Sequence, residues 1–334
     1  MKEASFILID TGSQSNKIMM SDVDKMTNGC QLSEVYNISS PILKRLYHLH
    51  FSYKLSTKVN LPLKSIWNKY CVLDEMLLDD NKEYFVIFVN NSVHKIDARH
   101  INQLAERNNV HLILLLLDAY HELCEKLKQQ MDAIHFEQIY SFQKSDCEKY
   151  GFIYTNTIYS RAENVSQNKN YTSDLYFLGA DKNRIEQIYS IYQQVTACGL
   201  VCDFTVVCDK KKVGLYKEKY PGMKIIAKRV DYSEILEGVS GTRCLLELCQ
   251  KGQDGLTMRF YEAVFYNKKL ITNNQTALVH PMYNSRYMQV IDDVSNLDVD
   301  FLKNREEVDY QYHDEMSPVH FTEKIIEVKN NDRN

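Results

Sequence analysis

Several features that mark other classes of protein are missing from this sequence. The longest apolar run, near residues 111–117, is far shorter than the roughly eighteen residues that a membrane-spanning helix needs. The opening segment, MKEASFILID, lacks the long apolar core and the cleavage site of a signal peptide. No G-x-G-x-x-G fingerprint occurs, which argues against a nicotinamide or flavin enzyme. We therefore expect a cytoplasmic protein without a membrane span and without a dinucleotide cofactor.

Cysteine is present, but not in a metal-binding or disulfide pattern. The nine cysteines form no C-x-x-C pair and have no histidine partners at the spacing of zinc sites. Several lie on or beside apolar, strand-like segments, where reduced cysteines pack as small apolar side chains. These are Cys202, Cys208, Cys244 and Cys249. Their placement favours a reducing compartment, and we expect no metal site.

Acidic residues are absent from one long stretch, although the formal net charge is −4. The negative balance argues against nucleic acid as the main partner. Between Glu34 and Asp74, however, every charged residue is basic, and the basic residues alternate with aromatic and apolar ones. This interleaving is typical of contact with an anionic membrane surface or a lipid-linked phosphate acceptor; the alternative is a solvated pair of basic helices. The residues expected to make such a contact are Lys54, Lys58, Lys64 and Trp67.

Short apolar segments alternate with helix-like segments along the whole chain. In the first half the predicted strands are 6–10, 84–89, 111–117 and 136–140, and the predicted helices include one that ends near Gly29, one at 120–131 and one that closes at Gly151. In the second half the predicted strands are 174–178, 202–208, 223–226, 244–248 and 270–272, and Asp181 is the predicted N-cap of a helix at 183–196. Such alternation predicts mostly parallel sheets with right-handed crossovers. A chain of 334 residues is long enough for two domains of this kind.

Residues 243–274 combine these elements in the order of one turn of a doubly wound sheet. A buried strand, a loop with two glycines, a helix at about 256–266 and a second strand follow one another. Ligands of such sheets bind beyond the carboxyl ends of the strands, and Gly252 and Gly255 allow the backbone to approach a ligand there. Arg259 and Glu262, three residues apart on the helix, suit the phosphates and sugar hydroxyls of a nucleotide. The alternative is a surface Arg–Glu pair on an ordinary helix.

This stretch resembles the donor-binding segment of GT-B glycosyltransferases from bacterial capsule, exopolysaccharide and lipopolysaccharide gene clusters. That segment reads roughly Q-x-x-Q-x-G-L-T-x-R-x-x-E-A and is followed by K-K-L-I-T-x-N. The matching residues are Gln250, Gln253, Gly255, Leu256, Thr257, Arg259, Glu262, Ala263, Lys268, Lys269, Leu270, Ile271, Thr272 and Asn274.

Other segments carry the same resemblance. DLYFLGADKNRIEQI is similar to the opening of the family's nucleotide-binding domain, and KRVDYSEILEGVSGT is similar to the segment that holds the nucleobase, where Tyr232 either stacks on the base or packs. LLLLDAYHEL resembles a strand that ends in W-D-S, with Ala119 in place of the serine. FEQIYSFQKSDCEKYG resembles F-D-x-I-x-S-F-D-x-x-D-x-x-x-Y-G, with Glu137 and Gln143 in place of aspartates.

The resemblance implies a GT-B fold of the α/β class, with two Rossmann-like domains whose mostly parallel sheets face each other across a cleft. The acceptor-binding domain is predicted at 1–160 and the nucleotide-sugar-binding domain at 174–316. A linker at 161–173 joins them, and a last helix at 317–334 is expected to pack back on the first domain. The implied donor-binding residues are Gly179, Lys182, Arg184, Tyr232, Gln250, Gln253, Gly255, Leu256, Thr257, Arg259 and Glu262.

Glycosyl transfer requires that the diphosphate leaving group be neutralised. The resemblance assigns this role to Arg259, Lys182 and the helix start at 255–257. The D-x-D motifs at 22–24 and 298–300 lie outside the donor segment, so we predict no essential metal. An inverting enzyme needs a general base, and the candidates, each at or just beyond a strand end, are Asp118, Asp10 and His94. Asp118 is alternatively an N-cap of the helix at 120–131, and inverting and retaining chemistry both remain open.

The expected function is transfer of a sugar from a nucleotide sugar, UDP-linked by default and without a further cofactor. The expected acceptor is a lipid-linked oligosaccharide at the inner face of the bacterial plasma membrane. Two alternatives keep the fold: a sugar-nucleotide epimerase or polyol-phosphate transferase, and a non-catalytic partner subunit. The departures from the family pattern at Ala119 and Gln143 favour the non-catalytic partner subunit, whereas the intact stretch from Gln253 to Glu262 favours retained donor binding.

Overall fold

Two α/β units make up the chain in a computed structural model. The structure describes residues 2–10, 12–56, 58–59, 61–162, 171–228, 230–250 and 255–331. The first unit contains Met1–Ser160 together with Met316–Asn334, and the second contains Arg161–Glu315. Most of the predicted linker, residues 163–170, lies outside the described residues.

The first unit is a six-stranded parallel sheet with helices between its strands. The strands are β1 (Glu3–Ile9), β2 (Gly29–Leu32), β3 (Lys82–Val89), β4 (Val110–Leu116), β5 (Gln138–Ser141) and β6 (Ile153–Tyr154). The helices are α1 (Gln14–Met19), α2 (Pro41–His50), α3 (Tyr53–Ser56), α4 (Leu73–Met76), α5 (Ala98–Ala105), α6 (Glu125–Asp132) and α7 (Lys144–Tyr150). The strand order is β2-β1-β3-β4-β5-β6, so the order reverses between β1 and β3.

Apolar side chains on both faces fix the central strands of this sheet. Every residue of β4 is buried, as are the last six of β3, which is the pattern of a parallel strand covered by helices on both sides. Each fully buried leucine or isoleucine contributes about 1.5–3 kcal/mol relative to exposure. Continuous apolar runs of this length explain why β3 and β4 were predictable from sequence.

Two expectations for the first unit are wrong. Gly29 begins the edge strand β2 instead of ending a helix: a Cβ there would lie 2.5 Å from the carbonyl oxygen of Val23, so the close chain crossing requires glycine. The predicted helix at 120–131 is divided into a 3-10 turn, Tyr120–Glu122, and α6, which begins at Glu125. The backbone N–H of Tyr120 bonds to the carboxylate of Asp146 instead of entering a longer helix.

The second unit is also a six-stranded parallel sheet. Its strands are β7 (Ser173–Ala180), β8 (Cys202–Val207), β9 (Lys224–Ile226), β10 (Thr242–Glu247), β11 (Lys269–Thr272) and β12 (Met288–Val290). Its helices are α8 (Ile185–Ala197), α9 (Val213–Lys219), α10 (Tyr232–Ser240), α11 (Met258–Phe265) and α12 (Val299–Lys303). The order β9-β8-β7-β10-β11-β12 is the 3-2-1-4-5-6 order of the Rossmann fold. The two parallel sheets confirm the predicted α/β class with two Rossmann-like units.

Asp181 does not cap a helix, contrary to expectation. Its carboxylate accepts hydrogen bonds from Lys212 Nζ and Tyr216 Oη, both at 3.0 Å, and it is buried. Helix α8 begins at Ile185, and the residue before it, Arg184, makes no side-chain capping bond. The carboxylate therefore ties the loop after β7 to the region around α9.

The last helix, α13 (Pro318–Asn331), belongs to the first unit. Phe321 packs edge-on against Tyr140 of β5, with ring centroids 4.9 Å apart, and Lys324 Nζ donates to the carbonyl of Tyr154 in β6 at 2.6 Å. Buried Lys329 contacts Glu83. Apolar packing and two lysines thus hold α13 on the sheet. Among the described residues, no helix is long and apolar enough to cross a membrane.

Candidate functional site

The loops after β7 and β10 meet at the carboxyl edge of the second sheet. These strands are neighbours, and the strand order reverses between them. Ligands of doubly wound sheets bind at this point. The predicted donor-binding residues at 179–184 lie at the end of β7 and just beyond it, and Gln250 and the predicted residues at 255–262 follow β10, so the fold brings the two described segments to the same edge.

The start of α11 is held in place by side-chain hydrogen bonds. Thr257 is the N-cap, and its hydroxyl accepts from the backbone N–H of Arg259 at 3.1 Å. Asn274 Nδ2 donates to the carbonyl of Gly255 at 3.0 Å, while Gly255 and Leu256 are buried. An ordered helix start presents backbone N–H groups suited to an anion. Of the predicted residues in the preceding loop, Gln250 is half-buried and Gln253 lies outside the described residues.

Arg259 and Glu262 form a buried ion pair, which excludes the alternative of a surface pair. Arg259 Nη1 contacts Glu262 Oε2, and Tyr232 Oη donates to Glu262 Oε1 at 2.8 Å. Arg259 Nη2 donates to the carbonyl of Leu178 at 3.4 Å, and the guanidinium lies 5.5 Å from the Tyr176 ring centroid. The ion pair thus bridges α11, α10 and β7.

Burial and the neighbouring groups act in opposite directions on the pKa values of this pair. Burial raises the pKa of Glu262, while Arg259 and the Tyr232 hydroxyl oppose that rise. Burial likewise disfavours the charged guanidinium, but Glu262 and the tyrosines together raise the pKa of Arg259. Glu262 is only 1% exposed, so in this structure it orients Arg259; its expected contact with the donor ribose stays a prediction.

Tyr232 packs instead of presenting an open ring. It is 6% exposed, and its hydroxyl bonds to Glu262. The structure therefore favours the packing alternative over stacking on a nucleobase. The reason is position: Tyr232 is the first residue of α10, which places its side chain over α11.

Glu247, at the end of β10, belongs to the site but was not identified from the sequence. Its carboxylate accepts hydrogen bonds from the hydroxyls of Thr257 and Thr272 and is buried. Burial raises the pKa of Glu247, and the two threonines oppose this. A glutamate inside the apolar segment LLELC was the available signal, because a carboxylate on a buried strand requires partners. Through Thr257, Glu247 fixes the N-cap of α11.

The loop after β7 carries a strained turn and a partly buried arginine. Lys182 and Asn183 both have positive φ, 41° and 61°; such a conformation costs roughly 1–2 kcal/mol per residue and is concentrated at ligand-binding sites. Arg184 lies over the Phe177 ring at 5.9 Å, and burial lowers the pKa of its guanidinium. A Cβ at Gly179 would be 3.0 Å from the Phe177 ring and 3.5 Å from Arg184, so glycine leaves room for the arginine. The exposed Lys182 and the half-buried Arg184 place two cations at this edge.

The three predicted general bases differ in exposure. Asp10 follows β1 with 0% exposure, and its two oxygens accept from the backbone N–H of Gly12 and the amide of Gln31, so it organises a loop. His94 is buried in the 3-10 turn after β3. Asp118 is exposed beyond β4, and Asn90 Nδ2 donates to it at 3.1 Å. The N-cap alternative for Asp118 is wrong, because α6 begins after Cys124 and the 3-10 turn after Ala119.

A histidine–carboxylate pair at the carboxyl edge of the first sheet was not identified from the sequence. His121 Nδ1 lies 3.0 Å from Asp146 Oδ1, and the other oxygen of Asp146 accepts from the backbone N–H of Tyr120 at 2.6 Å. The His121 side chain is 39% exposed, whereas that of Asp146 is 2% exposed. A buried carboxylate at Nδ1 orients the imidazole ring, as in hydrolase triads. Asp146 was recognised only as a motif match, and nothing in the sequence linked it to His121.

The basic stretch of the first unit presents an apolar surface, and two of the predicted contact residues are mostly covered by their neighbours. Trp67 is 4% exposed, and its Nε1 donates to His50. Lys64 is half-buried, contacts the Phe51 ring at 4.8 Å and has a pKa lowered by burial. Lys54 and Lys58 are exposed, and their contact with a membrane or an acceptor stays a prediction. Trp67 and Lys64 instead stabilise this surface through their contacts with His50 and Phe51.

Leucine and isoleucine side chains make up the exposed part of that surface. Ile42, Leu46, Leu49, Leu63 and Ile66 are each at least half exposed. An open cavity of about 480 Å³ lies in this region, and it is lined by Leu43, Leu46, Leu49, His50, Leu61, Ile66, Trp67, Lys69 and Tyr70. Contiguous exposed apolar area of this kind marks a binding surface. We call residues 41–70 the apolar–basic surface.

The two lysines of the family motif lie at the opposite, amino edge of the second sheet. Lys268 Nζ donates to the carbonyl of Ser240 at the end of α10 (2.8 Å), and Lys269 Nζ to those of Phe301 and Asn304 at the end of α12 (2.9 and 2.7 Å). Burial lowers the pKa of Lys268 to about 8. Cations stabilise helix carboxyl ends, so these motif residues support the fold and do not contact a donor at the carboxyl edge.

Comparison with known proteins gives a limited likeness of architecture. No protein-family model matches the chain, and no curated protein matches it by sequence. Among solved structures, a UDP-forming α,α-trehalose-phosphate synthase from Burkholderia xenovorans is 11% identical with a TM-score of 0.49, over 90% of each chain. A putative UDP-N-acetylglucosamine 2-epimerase from Listeria monocytogenes is 10% identical with a TM-score of 0.48, over 95% of this chain and 94% of the other. A DNA-modifying β-glucosyltransferase is 13% identical with a TM-score of 0.42, over 90% and 88%. At these values the likeness says nothing about activity or residue roles.

The buried ion pair predicts an asymmetric response to mutation. Arg259→Met leaves the Glu262 carboxylate buried without its cation, which is expected to cost about 3–5 kcal/mol and to lower the melting temperature measured by circular dichroism. The double variant Arg259→Met/Glu262→Gln removes both charges and is expected to recover at least half of that loss. The matched control is Lys303→Met, because Lys303 and Asp300 have the same i, i+3 spacing but are exposed, and its melting temperature is expected to stay close to that of wild type because exposed ion pairs contribute little to stability. Equal losses for Arg259→Met and Lys303→Met would contradict the assignment.

Proposed function

We propose that this chain is a GT-B glycosyltransferase that transfers a sugar from a nucleotide sugar to a lipid-linked glycan acceptor. The observation that carries the proposal is the buried Arg259–Glu262–Tyr232 cluster under the ordered start of α11, at the reversal point of a Rossmann-type sheet. The resemblance of residues 250–274 to the donor segment of that family agrees with this location. The second unit is the proposed donor-binding unit and the first the acceptor-binding unit.

The cations at the carboxyl edge are the proposed partners of the donor diphosphate. Glu262 holds Arg259, whose side chain is 13% exposed. Arg184 and Lys182 come from the loop after β7, and the N–H groups of α11 come from the other side of the reversal point. Preorganised cations and N–H groups stabilise the charge that develops on a diphosphate leaving group. This arrangement supports transfer without an essential metal at the donor site.

His121 is the proposed general base, held by Asp146. In the transfer step the acceptor oxygen forms a bond to the anomeric carbon as the bond from that carbon to the diphosphate oxygen breaks. The acceptor proton passes to Nε2 of His121, and the nucleoside diphosphate leaves with the bonding electrons. This assignment replaces Asp118 as the leading base, because a buried carboxylate fixes the imidazole and imidazole is the commonest general base in enzymes. A dedicated base implies inversion at the anomeric carbon.

Turnover with a donor panel tests the proposed activity. The purified chain is incubated with UDP-, GDP-, dTDP- and CMP-sugars and a short lipid-linked acceptor, and release of the nucleoside diphosphate (the monophosphate for CMP-sugars) is measured with and without Mg²⁺ or Mn²⁺. We expect one nucleotide class to react, a glycosylated lipid as product and no requirement for added metal. Conversion of the donor to an epimeric nucleotide sugar would support the epimerase alternative. No binding and no turnover of any donor would overturn the proposal.

Mutation of His121 tests the base. His121→Asn is expected to lower kcat by about 10²–10⁴-fold while leaving the KM for the donor unchanged, because the residue acts on the acceptor hydroxyl. The matched control is His135→Asn, since His135 is exposed in the same unit, and its kcat is expected to stay within twofold of wild type. A larger loss in Asp118→Asn than in His121→Asn would return the role of base to Asp118.

Association with lipid tests the apolar–basic surface. Leu46→Ser/Leu49→Ser is expected to weaken sedimentation with vesicles of phosphatidylglycerol and phosphatidylethanolamine, because these leucines are exposed. Lys54→Ser/Lys58→Ser is expected to weaken it at low salt by about tenfold or more, since each basic residue near an anionic surface contributes about 1 kcal/mol. Leu215→Ser in the second unit, also an exposed leucine, is the control. Binding that is equal in all three variants, or absent in wild type, would contradict the membrane role.

A further inference from the structure

Three side chains of metal-binding type come together in the first unit, outside the groups assigned above. Cys71 follows the 3-10 turn Lys64–Tyr70, Asp74 lies in the first turn of α4, and His100 lies in α5. One ligand atom from each of the three lies within 4.8 Å of those of the other two. Their sequence spacing matches no common zinc motif, so only the fold reveals the cluster.

The distances are close to those of a coordinated ion. Zinc binds sulfur at about 2.3 Å and imidazole or carboxylate atoms at about 2.0–2.2 Å, so tetrahedral ligand atoms are separated by roughly 3.3–3.7 Å. His100 Nε2 lies 2.9 Å from Asp74 Oδ1, and no separation within the cluster exceeds 4.8 Å. Asp74 and His100 are half-buried, so neither side chain is enclosed on all sides.

The sulfur of Cys71 lies beside the first turn of α4. Cys71 is buried and stands two residues before that helix, and the backbone N–H groups of Leu73 and Asp74 are directed at Sγ. Hydrogen bonds of this kind from the surrounding shell orient metal ligands.

The ligand chemistry selects the ion. A thiolate and a carboxylate together balance two positive charges, and a neutral imidazole completes the set. Thiolate and imidazole are ligands of zinc and related transition metals, whereas magnesium and calcium prefer oxygen alone. Asp74 has the most exposed side chain of the three, at 38%, which leaves a position for water.

We propose that Cys71, Asp74 and His100 bind one Zn²⁺, with water as the fourth ligand. As the sulfur–zinc bond forms, the thiol proton is released to solvent. The proposed site lies directly after the apolar–basic surface in the chain. There Cys71 forms an isolated antiparallel β-bridge with Tyr36, and the backbone N–H of Val72 donates to the carbonyl of Val35 at 2.9 Å. Zinc thus joins the base of that surface to α5. The site is structural and independent of the donor chemistry.

Cobalt substitution of the full chain tests the site. The protein is freed of metal by a chelator, the chelator is removed, and Co²⁺ is titrated while the near-ultraviolet sulfur-to-cobalt charge-transfer band is followed. We expect saturation at one equivalent and displacement of the band by Zn²⁺. Cys71→Ser is expected to abolish the band, and His100→Gln to weaken binding on the order of tenfold or more. Cys147→Ser, a half-buried cysteine of the same unit, is expected to behave as wild type.

Folding of each variant is checked by the fluorescence of Trp67, the single tryptophan, which is buried in the first unit. If Cys71→Ser does not fold, His100→Gln and Asp74→Asn decide, because both positions are half-buried and tolerate isosteric change. Absence of a charge-transfer band in wild type would overturn the proposal. So would a band of unchanged intensity and affinity in folded Cys71→Ser, or unchanged affinity in both His100→Gln and Asp74→Asn. Donor turnover is not part of this readout, so failure of the proposed transferase activity leaves it unaffected.

Discussion

A carboxylate buried in a protein needs a cation or several hydrogen bonds. In the second unit, Glu247 and Glu262 are both buried, and Arg259 acts electrostatically on both carboxylates. Glu247 is satisfied by two threonine hydroxyls, and Glu262 by Arg259 and Tyr232. Satisfying Glu247 fixes the N-cap of α11, and satisfying Glu262 fixes the guanidinium. The same bonds that make burial tolerable therefore shape the edge of the sheet where a donor is proposed to bind.

The parallel direction of the strands gives the charged residues at the two edges of each sheet different roles. In a parallel α/β fold the connecting helices run opposite to the strands, so their amino ends lie at the carboxyl edge of the sheet. Anions are favoured there and cations at the other edge. Lys268 and Lys269 follow this rule by binding the carbonyl ends of α10 and α12. Each proposed catalytic group comes from a turn, a loop or a helix start at the carboxyl edge of its own sheet, as His121 does in the first unit and Arg259 in the second.

Continuous apolar runs and local motifs made part of this structure predictable. The strands β3 and β4 and the strand–loop–helix around Arg259 follow from burial pattern and turn residues alone. The predictions that were wrong depend on tertiary contacts. Asp181 caps no helix because its carboxylate accepts hydrogen bonds from Lys212 and Tyr216. Trp67 is buried because its ring packs inward and its N–H donates to His50. The His121–Asp146 pair joins the 3-10 turn after β4 to the first turn of α7, which follows β5, and no local sequence pattern encodes such a contact.

Hydrogen–deuterium exchange with and without UDP tests the central claim most directly, because it locates the ligand without assuming an activity. We predict slower exchange in peptides that cover residues 178–186 and 247–262, the two segments that meet at the carboxyl edge of the second sheet, and little change at the amino edge around residues 240–243 and 268–269. Binding reduces local opening and therefore exchange. Protection confined to the amino edge, or no protection at saturating concentrations of any of UDP, GDP, dTDP and CMP, would contradict a donor site built around Arg259 and Glu262.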